Sequence, residues 1–448
     1  MLFPTLSFFL FFLVVLTLFW SIAFSNSARL GYILTASYIF YAAWDIRFCA
    51  LIACCSIISW IGAHYGPNSR HIRIFCITAL VLILGFFKYF DFFSHEFARL
   101  FAPFGLFQEA IITDIILPVG ISFYIFQGIS LIIDETNPTK SVRPSLLETS
   151  AFLSFFPQLV AGPIVRAHEL IPQLRGYPTL CSKDIMRAGE LILLGLLKKL
   201  IIANYLAQNV VDPIWQVGPQ GMWEAWIAMF AYGIQIFCDF SGYSDLAIGF
   251  ALLLGYRLPQ NFSAPYAAKS LTEFWRRWHM TLSRFIRDYI YIPMGGSHHS
   301  TVRTASHLIF AMMLAGLWHG ANWTFVIWGL LHGVLLALTR STQIGVLATY
   351  LSVNLLWILF RAPDLSTAFD YYAAMLTAGN FPNFPLYIYA LTILGAFLAV
   401  IPPKDSVIYG YDFWKKRPYA YLWLTGLTIW VLFALAPPGV APFIYFQF

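Results

Sequence analysis

"LAGLWHGANWTF", residues 314 to 325, carries a histidine, His319, inside a run that holds no Lys, Arg, Asp or Glu from Arg303 to Arg340. As one straight helix those 37 residues would span ~55 Å at about 1.5 Å per residue, too long for one upright crossing of a hydrocarbon core ~30 Å thick. The run must therefore break, and "HGAN", with Gly320 and Asn322, is the natural place. By the same rise His319 lies ~24 Å along the axis from Arg303, deep in the apolar layer or near its far face. Two membrane helices meeting at a titratable ring is the fold signal from which the remainder follows.

The rest of the chain agrees with a lipid solvent. Its 448 residues are 59% hydrophobic, 18% aromatic and only 11% charged, with a mean hydropathy of +0.71. So much apolar side chain cannot be hidden inside a water-soluble globule. Apolar runs recur near 3–24, 30–45, 48–63, 73–90, 111–133, 186–208, 222–238, 244–256, 305–319, 322–338, 345–361, 386–402 and 418–436. Several fall short of a full crossing. The expected fold is therefore all-α and polytopic, one membrane-embedded domain over residues 1–448 with about 10–12 transmembrane spans plus re-entrant and amphipathic helices.

The first run, Leu2 to Phe24, has no basic residue before it and no obvious cleavage site, which reads as a retained helix rather than a signal peptide. Cations at Arg29, at Arg70, His71 and Arg73, and at Lys140 and Arg143 contrast with four acids beside Arg99 between Asp91 and Asp114. The positive-inside rule then places those basic loops in the cytoplasm and the N-terminus outside. Segment 147–180, with "FFPQLVAGPIVR", mixes proline and glycine with apolar residues, and such backbone is tolerated at membrane depth only against protein or a water-filled cavity. Six cysteines without CxxC spacing read as small buried hydrophobes. A net charge of +6 is modest for this length and argues against a nucleic-acid partner, while leaving membrane lipids and phosphates as partners for local basic clusters.

"SLTEFWRRWHMTLSRFIRDYIYIPMGG", residues 270–296, differs from the spanning runs. At 100° per residue Glu273, Arg276, Arg277, Met280, Arg284, Arg287 and Asp288 share one face, and Trp275, Trp278, Leu282 and Phe285 lie on the other, with His279 at the seam. Thr272 and Glu273 mark a helix start, Pro293 and Gly295 its end. Two readings stand: an interfacial helix whose arginines hold lipid headgroups, or an arginine face that binds a phosphate-rich cytosolic ligand.

Burial penalises the imidazolium cation and leaves His319 a neutral ring able to accept a proton, the state a general base needs. The alternative is a packing histidine bonded to a carbonyl, the reading given to His332. Trp318 and Asn322 stand ready to orient His319, and "CDFSGYSDLAIG", residues 238–249, sets Asp239, Ser241, Tyr243 and Asp245 in another interrupted apolar region. The histidines show no HExxH spacing, and His298 with His299 reads as a solvated loop pair rather than a metal site.

"LPVGISFYIFQGIS" (117–130), "FFPQLVAGPIVR" (155–166), "GYRLPQNFSAPYAAKSLTEFWRRWHMTLSRFIRDYIYIPMGG" (255–296), "GLWHGANWTFVIWGLLHG" (316–333) and "PFIYFQF" (442–448) together resemble the membrane-bound O-acyltransferase family. The likeness is to its bacterial branch of alginate and peptidoglycan O-acetyltransferases and teichoic acid D-alanyl transfer proteins. The resemblance implies tilted helices around a central tunnel entered by two funnels. His319 matches the family's catalytic histidine and His279 its second histidine. It also implies acetyl-CoA as acyl donor, with Arg276, Arg277, Arg284, Arg287 and Trp278 as its binding residues, and no metal. Asn322 or a backbone amide is the candidate oxyanion donor. Acetyl would pass across the bacterial inner membrane to an extracytoplasmic acyl-accepting transferase or polysaccharide-modifying protein. D-alanyl transfer from a carrier protein and a polysaccharide or lipid transporter are the competing expectations.

Overall fold

The computed structural model describes residues 3–21, 25–104, 115–298, 300–402 and 412–439. His299, the acids Glu109 and Asp114, and the "PFIYFQF" stretch lie outside them. The described residues are helical with no strand, as the sequence predicts.

The chain divides into two compact units. The first holds residues 6–179 with 254–258. It contains α1 (Leu6–Ser21), α2 (Asn26–Ala42), α3 (Arg47–Tyr65), α4 (Arg70–Phe101), α5 (Ile121–Asp134), α6 (Leu146–Ser154), α7 (Phe156–Leu159) and α8 (Ala167–Arg175). Helix α4 is long and largely uncovered, with Phe75, Leu82 and Leu100 more than half exposed, an apolar surface suited to lipid rather than water. Segment 147–180 forms three short helices joined by turns and is largely buried up to Leu174 and exposed beyond it: Gln158 Nε2 donates to Phe152 O at 2.8 Å, and the Phe156 amide donates to Ser37 Oγ at 3.2 Å. Arg175 and Glu148 close it with a two-pronged ion pair of 2.7 and 2.9 Å.

The second unit holds residues 180–253 and 259 onward, with Phe3–Thr5. It contains α9 (Ser182–Leu196), α10 (Asn204–Leu206), α11 (Asp212–Val217), α12 (Met222–Leu253), α13 (Leu271–Arg277), α14 (Met280–Ile286), α15 (Thr301–His319), α16 (Trp323–Leu338), α17 (Val346–Arg361), α18 (Leu365–Ala374), α19 (Leu386–Val400) and α20 (Pro418–Leu435). Residues 197–203 and 207–211 continue α9 and α10 as π-helical turns.

Three expectations are corrected here. The runs 222–238 and 244–256 are one 32-residue helix, α12, not two spans. Its carboxylates do not interrupt it because lysines facing it from residues 198 and 199 meet them: Lys198 reaches Asp245 at 2.7 Å and Lys199 pairs with Asp239. Gly195 and Gly242 let the two backbones approach closely enough for this, since a Cβ on either would lie within 3 Å of the other's carbonyl oxygen. The amphipathic stretch is not one helix but α13 and α14, broken at Trp278–His279. Finally, the cysteines are all free but not all buried: Cys54 and Cys181 are exposed.

Candidate functional site

Helix α15 ends at His319 because Gly320 turns extended, and α16 restarts at Trp323 behind Asn322, whose Oδ1 accepts the Thr324 amide at 3.0 Å. Asn322 Nδ2 donates to Pro363 O at 2.6 Å, so the side chain caps the helix and ties the "HGAN" turn to the loop after α17. The two helices then pack backbone to backbone. A Cβ on Gly316 would stand 2.1 Å from Phe325 O, and one on Gly329 2.3 Å from Met312 O. The break expected from chain length is thus a tight helical hairpin with His319 at its corner.

His319 is buried, and rings surround it: Trp318 at 5.0 Å, Phe360 at 5.1 Å and Trp328 at 5.2 Å between centroids, crossing its plane at 72–87°. His279 is also buried, in the left-handed region with φ 41°. Its ring meets Phe240 at 4.6 Å and Trp318 at 5.9 Å. Trp318 therefore packs against both histidines, which sequence places 40 residues apart.

The break that turns His279 inward is built from residues 261–263. Asn261 O accepts the Met280 amide at 2.9 Å, and Ser263 N donates to Arg277 O at 2.9 Å. Asn261 Oδ1 accepts from Thr281 N at 3.2 Å and Thr281 Oγ1 at 2.9 Å, and lies 3.1 Å from His279 Nδ1. Helical periodicity carries no sign of this, because the partner lies 18 to 20 residues upstream.

Beside the hairpin lies a cavity of about 680 Å³ rimmed by Arg276, Arg284, Arg287 and Arg340, with no Asp or Glu in its lining. Its apolar wall includes Trp275, Leu308, Ala311 and Ala315. Positions 308, 311 and 315 form one stripe of α15, and the next position on that stripe, four residues on, is His319. The lining stops at Ala315, one turn before His319.

Three of the four arginines expected to bind a phosphate-bearing ligand meet here. Arg277 does not: it donates to Glu273 Oε1 at 2.6 Å and is absent from the lining. The Lys269 backbone N–H, and then Arg277 against partial burial, hold the Glu273 carboxyl below the usual carboxylate range. Trp278 is also elsewhere, buried in an aromatic cluster with Phe274 at 5.6 Å and Trp357 at 5.1 Å. His332 packs between Trp275 and Trp328, but neither ring nitrogen finds a hydrogen-bond partner among the described residues, so the expected carbonyl bond is not there. Arg340 and Asn261 were missed by sequence reasoning; Arg340 ends the uncharged run, in the turn just past the end of α16.

The family model for membrane-bound O-acyltransferases matches residues 129–346. A Pseudomonas putida protein described as "Probable alginate O-acetylase" is 36% identical over 458 aligned positions, 93% of this chain and 94% of its own length. One of the same description from Azotobacter vinelandii is 36% identical over 86% of this chain and 80% of its own length. A Helicobacter pylori "Peptidoglycan O-acetyltransferase" is 33% identical over 75% of this chain and 72% of its own length.

Proposed function

The chain belongs to the membrane-bound O-acyltransferase family and is an acyltransferase, and on that premise we propose that it moves acetyl from a cytosolic thioester, acetyl-CoA, across the bacterial cytoplasmic membrane for O-acetylation of a cell-surface polysaccharide. The similarity to alginate and peptidoglycan O-acetyltransferases supports the acetyl group and the polysaccharide. One observation carries the donor: an acid-free cavity lined by four arginines, whose α15 wall belongs to the helix that ends at His319. Arginine forks suit the donor's phosphates, and the apolar wall suits its arm.

In this reading the thioester carbonyl rests beside His319. The ring takes the proton of an incoming hydroxyl as its oxygen attacks the carbonyl carbon. The C–S bond then breaks, and the thiolate leaves with that proton, so no net proton is consumed. Trp318, Trp328 and Phe360 hold the ring in place and keep bulk water from the thioester. Asn322 serves by holding the hairpin corner, and Trp278 by supporting the break beside His279. The receiving hydroxyl belongs to an extracytoplasmic transferase or polysaccharide-modifying partner.

The test is labelled acetyl-CoA with purified protein, together with the acetyl content of surface glycan in the host. His319→Ala, expressed and folded normally, is expected to lower acetyl transfer by about 100-fold or more. Unchanged glycan acetylation in that variant would defeat the assignment, and glycan flux without thioester cleavage would replace it with a transporter.

A further inference from the structure

Asn261 Oδ1 determines which nitrogen of His279 carries its proton. The Thr281 backbone N–H, 3.2 Å from that atom, can only donate, so the side-chain atom facing it is the oxygen rather than the amide nitrogen. The amide nitrogen donates instead to Ser244 Oγ at 3.2 Å. His279 Nδ1, 3.1 Å from the same oxygen, must then be the protonated nitrogen of the neutral ring. Its Nε2 is left as an acceptor, buried and with no hydrogen-bond partner among the described residues. Asn261, Ser244 and His279 are all at most 1% exposed, so water does not compete for this arrangement. The next residue, Met280, lines the arginine cavity.

We propose that Asn261 is a positioning residue that locks His279 as the Nδ1–H tautomer, so that Nε2 accepts a hydrogen bond from the bound acyl donor. The chemistry required of the ligand is a hydrogen-bond donor that reaches Nε2: an amide N–H of the thioester's arm or the S–H of the released thiol. The tautomer stands on the geometry alone. Its ligand rests on the thioester reading above.

Long-range proton–nitrogen NMR of ¹⁵N-histidine-labelled protein in nanodiscs tests the first part without substrate, with the His279 signal assigned by its loss in His279→Gln. A bare Nε2 and protonated Nδ1 are expected in the wild type and in Asn261→Asp, whose carboxylate still accepts from all three donors. Asn261→Leu is expected to shift the ring toward Nε2–H. A wild-type Nε2–H signature overturns the proposal.

Kinetics with acetyl-CoA test the second part. Where an amide of the arm donates, Asn261→Leu is expected to raise KM for acetyl-CoA about three- to tenfold, the worth of one hydrogen bond, and Asn261→Asp to restore it within about twofold; where the released thiol donates, KM for acetyl-CoA stays within about twofold and the effect is read in inhibition by free coenzyme A. Weaker inhibition by free coenzyme A alone identifies the thiol as the donor; weaker inhibition by both coenzyme A and its S-methyl thioether identifies an amide. Equal affinity for both in a folded Asn261→Leu protein overturns the ligand assignment. Failure of the wild type to cleave acetyl-CoA, with the Nδ1–H signature intact, overturns the thioester reading and leaves the tautomer standing.

Discussion

His319 is oriented by shape. Three rings near 5 Å cross its plane at steep angles, so its χ2 has little room to turn, and a base that cannot swing keeps its geometry through the reaction. The arginines of residues 270–296 differ in whether they line the cavity, and that difference is measurable. Arg284→Ala and Arg340→Ala, both at the cavity, are each expected to raise KM for acetyl-CoA about three- to tenfold with kcat little changed, an effect that shrinks as salt rises. Arg277→Ala, whose guanidinium is engaged by Glu273 away from the cavity, is expected to change KM by less than about twofold. Steady-state kinetics at two ionic strengths decide it. That arginine gathers on one face of this stretch was readable from residue type and spacing. Which of them reach the cavity was not, because Arg276 and Arg277 are neighbours in sequence with opposite fates.

At the scale of elements, the α15–α16 hairpin depends on glycine. Gly329→Ala would bring a Cβ to 2.3 Å from Met312 O and 3.0 Å from Met313 Cα, backbone atoms that cannot swing aside. The helices would have to separate and carry His319 with them. The expected cost is about 2 kcal/mol or more, seen as a lower Tm in detergent and lost transfer. Gly426→Ala, where a Cβ meets nothing within 4 Å, is the control and is expected to leave Tm unchanged. The hairpin corner was legible because an uncharged run too long for one crossing has to turn where Gly and Asn allow it. The break at His279 was not: the 100° pattern continues across it, and the bonds that impose it come from Asn261.

Considered whole, the chain is a membrane protein whose second unit buries charge in matched pairs. Lys199 and Asp239 are 1% and 4% exposed, and each neutralises the other where water cannot. Lys199→Leu alone is expected to destabilise the fold by about 3–5 kcal/mol, because it strands a buried carboxylate, whereas Lys199→Leu with Asp239→Leu is expected to recover most of that loss. Thermal melts of the two variants in nanodiscs settle whether the pair is a structural tie. If the single and double variants melt alike, it is not.

Composition and periodicity alone determined that this chain is an all-helical membrane protein, that its long uncharged run turns at "HGAN", and that arginine gathers on one face of residues 270–296. These follow from local causes: hydrocarbon thickness, helical rise and side-chain spacing. Tertiary structure decided that α12 runs unbroken past its carboxylates, that His279 turns inward, and that Trp318 joins it to His319. The partners responsible lie 18 to 47 residues away in sequence. No local pattern encodes them, since a buried polar group takes whichever partner packing brings within hydrogen-bond reach.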